Sequence, residues 1–256
     1  IPSFEDEGYV FLVTKNGIVK KSTLQDYSNP RRKGVWAVNL DEGDELISAR
    51  TVFEDDQVML FTKNGMAVRF PQEDARSMGR VARGVKGISL KEKDDEVVSC
   101  VVAKEGKSVL VVCLKGFGKR TPVEDFRMTK RGGVGVRSII TSDRNGLVLG
   151  AVCVDDDDNG VLLMSKKGQS LRLSMSDVRV MGRSTQGVRL VALKDSTDSL
   201  VAFQKVEAEM EDEIDEELEN VSSDTSQVEV EAEVNVSDDS SKEVEPETKE
   251  EESEES

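Results

Sequence analysis

Short apolar runs that end at glycine-centred turns dominate the first 206 residues. Val10–Val13, Val58–Phe61, Val109–Cys113 and Val161–Met164 each lead into a tight turn, at Asn16-Gly17, Asn64-Gly65, Lys115-Gly116 and Lys167-Gly168. Runs this short, rich in β-branched residues and bounded by turn signals, read as strands. Asn-Gly is favoured in type I′ hairpins, where both central residues need positive φ. A returning strand follows each turn, as at Ile18–Lys21 and Met66–Phe70. A third is expected after a second glycine (Val35–Leu40, Val85–Leu90, Val188–Leu193). A fourth closes each unit (Leu46–Phe53, Val97–Val102, Leu147–Val154, Leu200–Val206). Helical periodicity is nearly absent before Glu207.

The pattern repeats. Hairpin glycines Gly17, Gly65, Gly116 and Gly168 are spaced by 48, 51 and 52 residues. Four positions after each stands a base (Lys21, Arg69, Arg120, Arg172), and nine after each an aspartate (Asp26, Asp74, Asp125, Asp177). Gly-Val pairs at Gly34, Gly84, Gly135 and Gly187 follow with spacings of 50, 51 and 52. Four strands and their turns in about 50 residues make one propeller blade. The units are about 8–55, 56–106, 107–157 and 158–206. A blade cannot bury both faces alone, so neighbours must stack. Four blades is the low end for a ring, and the start at Ile1-Pro2-Ser3 lacks an initiator Met. The chain is therefore expected to be a piece of something longer, with blades missing upstream.

Charge divides the chain in two. The net charge is −16, yet residues 207–256 contain 23 acids and two lysines, leaving 28 acids and 33 bases in 1–206. A mildly basic β region thus precedes a polyanionic tail, expected to be disordered because it has too little apolar surface to offset ordering. Met210, Ile214 and Leu218 could line a short helix at its start.

The bases recur in phase. Hairpin tips carry Lys15, Lys63, Lys115 and Lys166-Lys167; the returning strands carry Lys20-Lys21, Arg69, Lys119-Arg120 and Arg172. The loops before the second glycine carry Arg31-Arg32-Lys33, Arg80 with Arg83, Lys130-Arg131 and Arg183, with Lys86, Arg137 and Arg189 just beyond. Any single lysine is an ordinary solvated charge. As a set in register on a round scaffold they form a curved positive belt, suited to the phosphates of bent duplex DNA without base readout. The recurring aspartates and glycines read as turn-formers, not as site residues.

Other chemistries find little support. There is no histidine, which removes Ser-His-Asp and Cys-His catalysis and most zinc sites. Asp155–Asp158 lacks the ligand alternation of a calcium loop. Lys130-Arg131-Gly132-Gly133-Val134-Gly135 is glycine-rich, but no helix follows to make a phosphate loop. Three cysteines without C-x-x-C spacing (Cys100, Cys113, Cys153) point to a reducing compartment. No run approaches the ~18 apolar residues of a membrane span.

The strings at 13–27 (VTKNGIVKKSTLQDY), 58–70 (VMLFTKNGMAVRF), 83–90 (RGVKGISL), 116–126 (GFGKRTPVEDF) and 144–156 (RNGLVLGAVCVDD), with Glu42–Ile47, closely resemble the C-terminal domain of DNA gyrase A subunits. The likeness runs from about Gly8 to Val206, and the acidic end fits many such tails. The resemblance implies an all-β fold, a β-propeller or β-pinwheel of four-stranded blades with exchanged strands, of which these are the last four of six. It implies DNA wrapping in support of ATP-dependent negative supercoiling by a type II topoisomerase. The implied partners are double-stranded DNA, the remainder of the gyrase A polypeptide, and the gyrase B subunit in an A2B2 assembly. The implied location is the bacterial cytoplasm, in association with the nucleoid. The family's box, Gln-Arg-Arg-Gly-Gly-Lys/Arg-Gly, belongs to a preceding blade; residues 130–135 are a degenerate echo of it. The DNA-cleaving tyrosine lies in a region this chain lacks, since neither Tyr9 nor Tyr27 has its context. ATP and magnesium are used elsewhere in the holoenzyme, so the expectation is no cofactor, metal or catalytic residue here and no activity alone. The rivals are the related domain in the A-type subunit of topoisomerase IV, and a protein-interaction propeller.

Overall fold

The computed structural model describes residue 4 and residues 7–154 and 160–206. They lie in one compact unit, Ile1–Ala208. The Asp155–Asp158 run and the tail beyond Val206, including the 210–218 stretch, lie outside the described residues.

Fifteen strands are described: β1 (Tyr9–Thr14), β2 (Ile18–Thr23), β3 (Leu46–Val52), β4 (Gln57–Thr62), β5 (Met66–Pro71), β6 (Val85–Lys86), β7 (Val97–Ala103), β8 (Ser108–Cys113), β9 (Phe117–Pro122), β10 (Val136–Arg137), β11 (Val148–Val154), β12 (Gly160–Ser165), β13 (Ser170–Ser174), β14 (Val188–Arg189) and β15 (Leu200–Val206). They make four antiparallel sheets, ordered β3-β1-β2-β6, β10-β5-β4-β7, β11-β8-β9-β14 and β13-β12-β15. A 3₁₀ turn containing the recurring aspartate follows each returning strand, at Leu24–Tyr27, Gln72–Asp74, Val123–Asp125 and Met175–Asp177.

Two expectations are corrected in detail. The hairpins are not type I′. Gly17 N–H donates to the Thr14 carbonyl at 3.0 Å with Gly17 at φ 81°, while Asn16 keeps negative φ. The same geometry recurs at Gly65, Gly116 and Gly168. This is a type I turn closed by a glycine bulge, which needs only one positive φ. The third strand is also only two residues long, and it joins the sheet of the preceding repeat: Val85 pairs Val19, Val136 pairs Ala67, and Val188 pairs Gly118. The first repeat's counterpart, Val35–Leu40, forms no strand. The glycine before each exchanged strand permits the approach. A Cβ on Gly135 would overlap the Ala67 carbonyl oxygen, and one on Gly187 would stand 2.5 Å from that of Gly118.

The core lies between blades. β4 sends Val58 and Leu60 toward the first blade, where they join Phe11, Val13 and Val19, and Met59 and Phe61 toward the third, where they join Val109, Val111 and Phe126. β8 divides likewise, with Leu110 and Val112 meeting Val161 and Leu163 of the fourth blade. Burial on both faces explains why these strands read as continuous apolar runs. β3, β7, β11 and β15 touch one another in series, so they are the inner edge of the stack. The exchanged strands lie at the opposite, outer edge of the first three sheets.

Candidate nucleic-acid interface

The predicted bases separate into three structural populations. The first is buried. Lys20, Lys21, Arg69, Lys119 and Arg120 are between 0% and 7% exposed. They are not surface cations, which corrects the expectation that the returning strands contribute to the belt. Each lies where the next repeat crosses its strand. Lys21 donates to the Gln72 side-chain oxygen (2.5 Å) and carbonyl (3.2 Å). Arg69 donates to the carbonyls of Val123 (2.9 Å) and Phe126 (3.1 Å), and Arg120 to that of Val178 (2.8 Å). The acceptors sit at the ends of the next repeat's 3₁₀ turn, where the Gln72 and Val123 carbonyls already take the closing N–H of Ala75 and Phe126 and accept the cation as a second donor. Phase in the sequence here marks repeated junctions, not repeated ligand contacts. Arg172, the fourth of the series, is exposed, and no described segment crosses its strand.

Lys20 and Lys119, one residue earlier, reach the outer loops instead. The Lys20 Nζ lies 2.5 Å from the Ala37 carbonyl oxygen and 2.6 Å from that of Arg80. The Lys119 Nζ lies 2.6 Å from that of Gly182 and 2.5 Å from that of Arg183. Burial pushes both ammonium groups down to about 8. Asp26 opposes and Arg80 reinforces the shift at Lys20, while Arg183 reinforces it at Lys119.

The hairpin tips form the second population, and all but one of their charges are answered locally. Asp44, Asp95 and Asp198 each accept two backbone N–H groups, one from the hairpin and one beside the inner strand, which ties the tip down. Lys15 then lies 3.3 Å from Glu96 and 3.8 Å from Glu45, and Lys63 lies 3.7 Å from Glu96. Lys167 pairs with Asp195, and Lys115 donates to the Asp143 carbonyl. Glu96 holds the Lys15 ammonium above its ordinary range. The Lys166 side chain is exposed without a hydrogen-bond or ion-pair partner among the described residues. As a group the tips are mixed in sign.

The third population lies on the outer edge. Each exchanged segment begins after the 3₁₀ turn, runs beside the preceding repeat's returning strand and ends in the two-residue strand, with parallel bridges at Lys21–Ser77, Arg69–Met128 and Arg120–Val180. On the first sheet it presents Arg80, Arg83 and Lys86; on the second, Lys130, Arg131 and Arg137; on the third, Arg183 and Arg189. Lys86, Lys130 and Arg137 are exposed with no side-chain partner among the described residues. Arg83 forms a bidentate pair with Asp41. Arg131 turns inward, its Nε donating to the Asp74 carbonyl at 2.8 Å and its NH1 to that of Lys86 at 3.0 Å. Arg189 lies over the Phe117 ring, which Arg144 also covers. Arg31, Arg32 and Lys33 are exposed in the first repeat's own loop.

A further series escaped the sequence reading. Arg76, Arg127 and Arg179 stand eleven residues after their hairpin glycines, two residues past the 3₁₀ turn. All three are exposed and lack a hydrogen-bond or ion-pair partner among the described residues. The phase rule that flagged the other bases would have found them, but Ser28 occupies the position in the first repeat. With the eight above, these three bring the bases on the outer edge of three successive sheets to eleven. Each approaches from a backbone segment bonded to the sheet behind it, so the row is held by a rigid scaffold.

Among the described residues no cluster of three or more Cys, Asp or Glu is placed to hold a metal, and no helix is long and apolar enough to cross a membrane. All three cysteines are free thiols.

Comparison with known proteins agrees with this architecture. The chain matches the family model described as DNA gyrase C-terminal domain, beta-propeller, over residues 8–52, 56–104, 108–155 and 161–207. It is 57% identical over 227 residues to the DNA gyrase A subunit of Chlamydia pneumoniae, covering 88% of this chain and 27% of that protein. Against the DNA gyrase A subunit of Salmonella typhimurium it is 40% identical over 213 residues, covering 83% and 24%. The chain thus spans about a quarter of the length of the curated relatives it matches. Among solved structures, it is similar to a DNA gyrase A C-terminal domain, with TM-score 0.72 and 30% identity over 80% of this chain and 68% of that one. A topoisomerase IV C-terminal domain gives TM-score 0.75 at 27% identity, covering 82% and 65%.

Proposed function

The chain belongs to the DNA gyrase C-terminal domain family, and from that premise we propose that its outer edge binds and bends duplex DNA through phosphate contacts. The observation that carries this reading is the row of exposed bases on the outer strands of three consecutive blades, phased by the repeat. Arg76, Lys86, Arg127, Lys130, Arg137 and Arg179 have no protein carboxylate to neutralise them among the described residues, so their charge is available to a polyanion. No helix or long ribbon among the described residues projects from this edge to enter a groove. Recognition therefore rests on the backbone and on the ease of bending the duplex. Lys15, Lys63 and Lys167 of the hairpin tips, answered by carboxylates, contribute less.

In the longer protein this surface would wrap DNA for a gyrase A2B2 assembly that supercoils with ATP and magnesium in the bacterial cytoplasm, at the nucleoid. Strand cleavage and ATP binding would fall to regions outside this chain. Salt-titrated binding to unrelated duplexes tests the reading. The expected result is sequence-tolerant affinity that drops by about 10³–10⁵ between 50 and 200 mM salt if six to ten phosphates are contacted. A flat response to salt would return the edge to the role of a protein-docking surface.

A further inference from the structure

Accepting DNA binding at the outer edge, we propose that Lys20 and Lys119 act as positioning residues, holding the backbone of the outer loops so that Arg80 and Arg183 point away from the protein toward phosphate. An ammonium has three donors and no acceptor. Each of these two lysines spends two of them inside the molecule, on loop carbonyls at least 17 residues away in sequence. One of those carbonyls belongs to the loop arginine itself, Arg80 in one case and Arg183 in the other. The ammonium thus fixes the backbone of the very residue whose half-buried guanidinium carries the second charge. Lys20 faces Asp26 and Arg80; Lys119 faces Arg183, Asp125 and the Cys113 thiol. Neither lysine has an ion-pair partner among the described residues that would divert it from the carbonyls.

The blade between them provides an internal control. Three residues after its hairpin glycine stands Val68 where the others have Lys20 and Lys119, and fifteen after the next glycine stands Arg131, the counterpart of Arg80 and Arg183. Without a lysine beneath the loop, Arg131 folds back and takes the holding role, on Asp74 and on the Lys86 carbonyl. Arg80, above Lys20, has no hydrogen-bond or ion-pair partner for its side chain among the described residues. Arg183 keeps one contact of 3.3 Å, to the Arg137 carbonyl. Where lysine holds the loop, the arginine side chain makes at most one 3.3 Å contact; where it does not, the arginine makes two shorter ones.

The test is a double-mutant cycle on duplex binding with the whole chain. Lys20→Met and Arg80→Ala should each weaken binding about three- to tenfold, with the double variant within about twofold of the weaker single, because both remove one contact. Lys119→Met with Arg183→Ala should repeat the pattern. Amide exchange at residues 79–84 should quicken in Lys20→Met while the inner strands stay protected. Multiplicative losses in the double variants would make the lysines independent contributors and overturn the proposal. So would unchanged exchange at 79–84, or loss of fold in both Met variants, since the ammonium would then support the blade and not the loop. An unsubstituted chain that fails to bind DNA would dispose of the DNA reading instead, leaving exchange to judge the lysines.

Discussion

Arg69 and Val123 are bonded across the boundary between the second and third repeats, guanidinium NH1 to carbonyl oxygen at 2.9 Å. The contact is buried, and the same arginine also serves the Phe126 carbonyl. Truncation would leave the buried Phe126 carbonyl without its donor and the Val123 carbonyl with only the Phe126 N–H. Arg69→Ala should therefore destabilise the fold by about 2–4 kcal/mol. Chemical denaturation measures this. Affinity for DNA, compared at equal folded fraction, should stay within about twofold, because the side chain is not on the surface.

The outer arginines should behave in the opposite way. Arg76→Ala, Arg127→Ala and Arg179→Ala remove exposed groups without protein partners and should shift stability by no more than about 0.5 kcal/mol. Each should lower the slope of log affinity against log salt by about 0.9, equally for all sequences. Lys15→Ala and Lys63→Ala, whose charges are answered by Glu96, serve as the contrast and should change affinity by less than about twofold. Equal losses from both groups would move the interface to the hairpin face.

The buried lysines give stability a pH dependence with a definite sign. Their folded-state values lie at about 8, below the ordinary 10.5. Below pH 8 both folded and unfolded chains hold the protons. Between about 8 and 10.5 the unfolded chain binds more, so the contribution of Lys20 and Lys119 to stability rises with pH across that window and is lost as pH falls back through 8. In unfolding free energies taken from pH 7 to 10, the unsubstituted chain should therefore gain on Lys20→Met as pH rises. Parallel curves, or a gain by the variant, would contradict it.

The acidic tail should compete with DNA. Residues 207–256 bring 23 carboxylates and two lysines to a region with five more bases than acids. Tethering holds such a segment at an effective concentration on the order of millimolar. Ending the chain after Val206 should tighten DNA binding, most clearly at low salt, and a binding titration of the two lengths decides. Identical affinities would exclude competition.

The repeat, the strand content and the sign of the charge on each part of the chain were legible in the sequence, because glycine, turn and apolar signals are local and recur in phase. The family was legible for the same reason, from strings such as those at 58–70 and 116–126. What each base does was not. Lys21, Arg69 and Arg120 share their phase with surface residues, yet the next repeat folds over them, and burial depends on a segment about 50 residues away. Strand exchange decides this. It puts the bases of one repeat on the edge of the blade before it, raises Arg76, Arg127 and Arg179 into the row, and buries the returning-strand cations beneath. A one-dimensional pattern records that positions are equivalent, whereas only the packed chain determines which side of the backbone meets water.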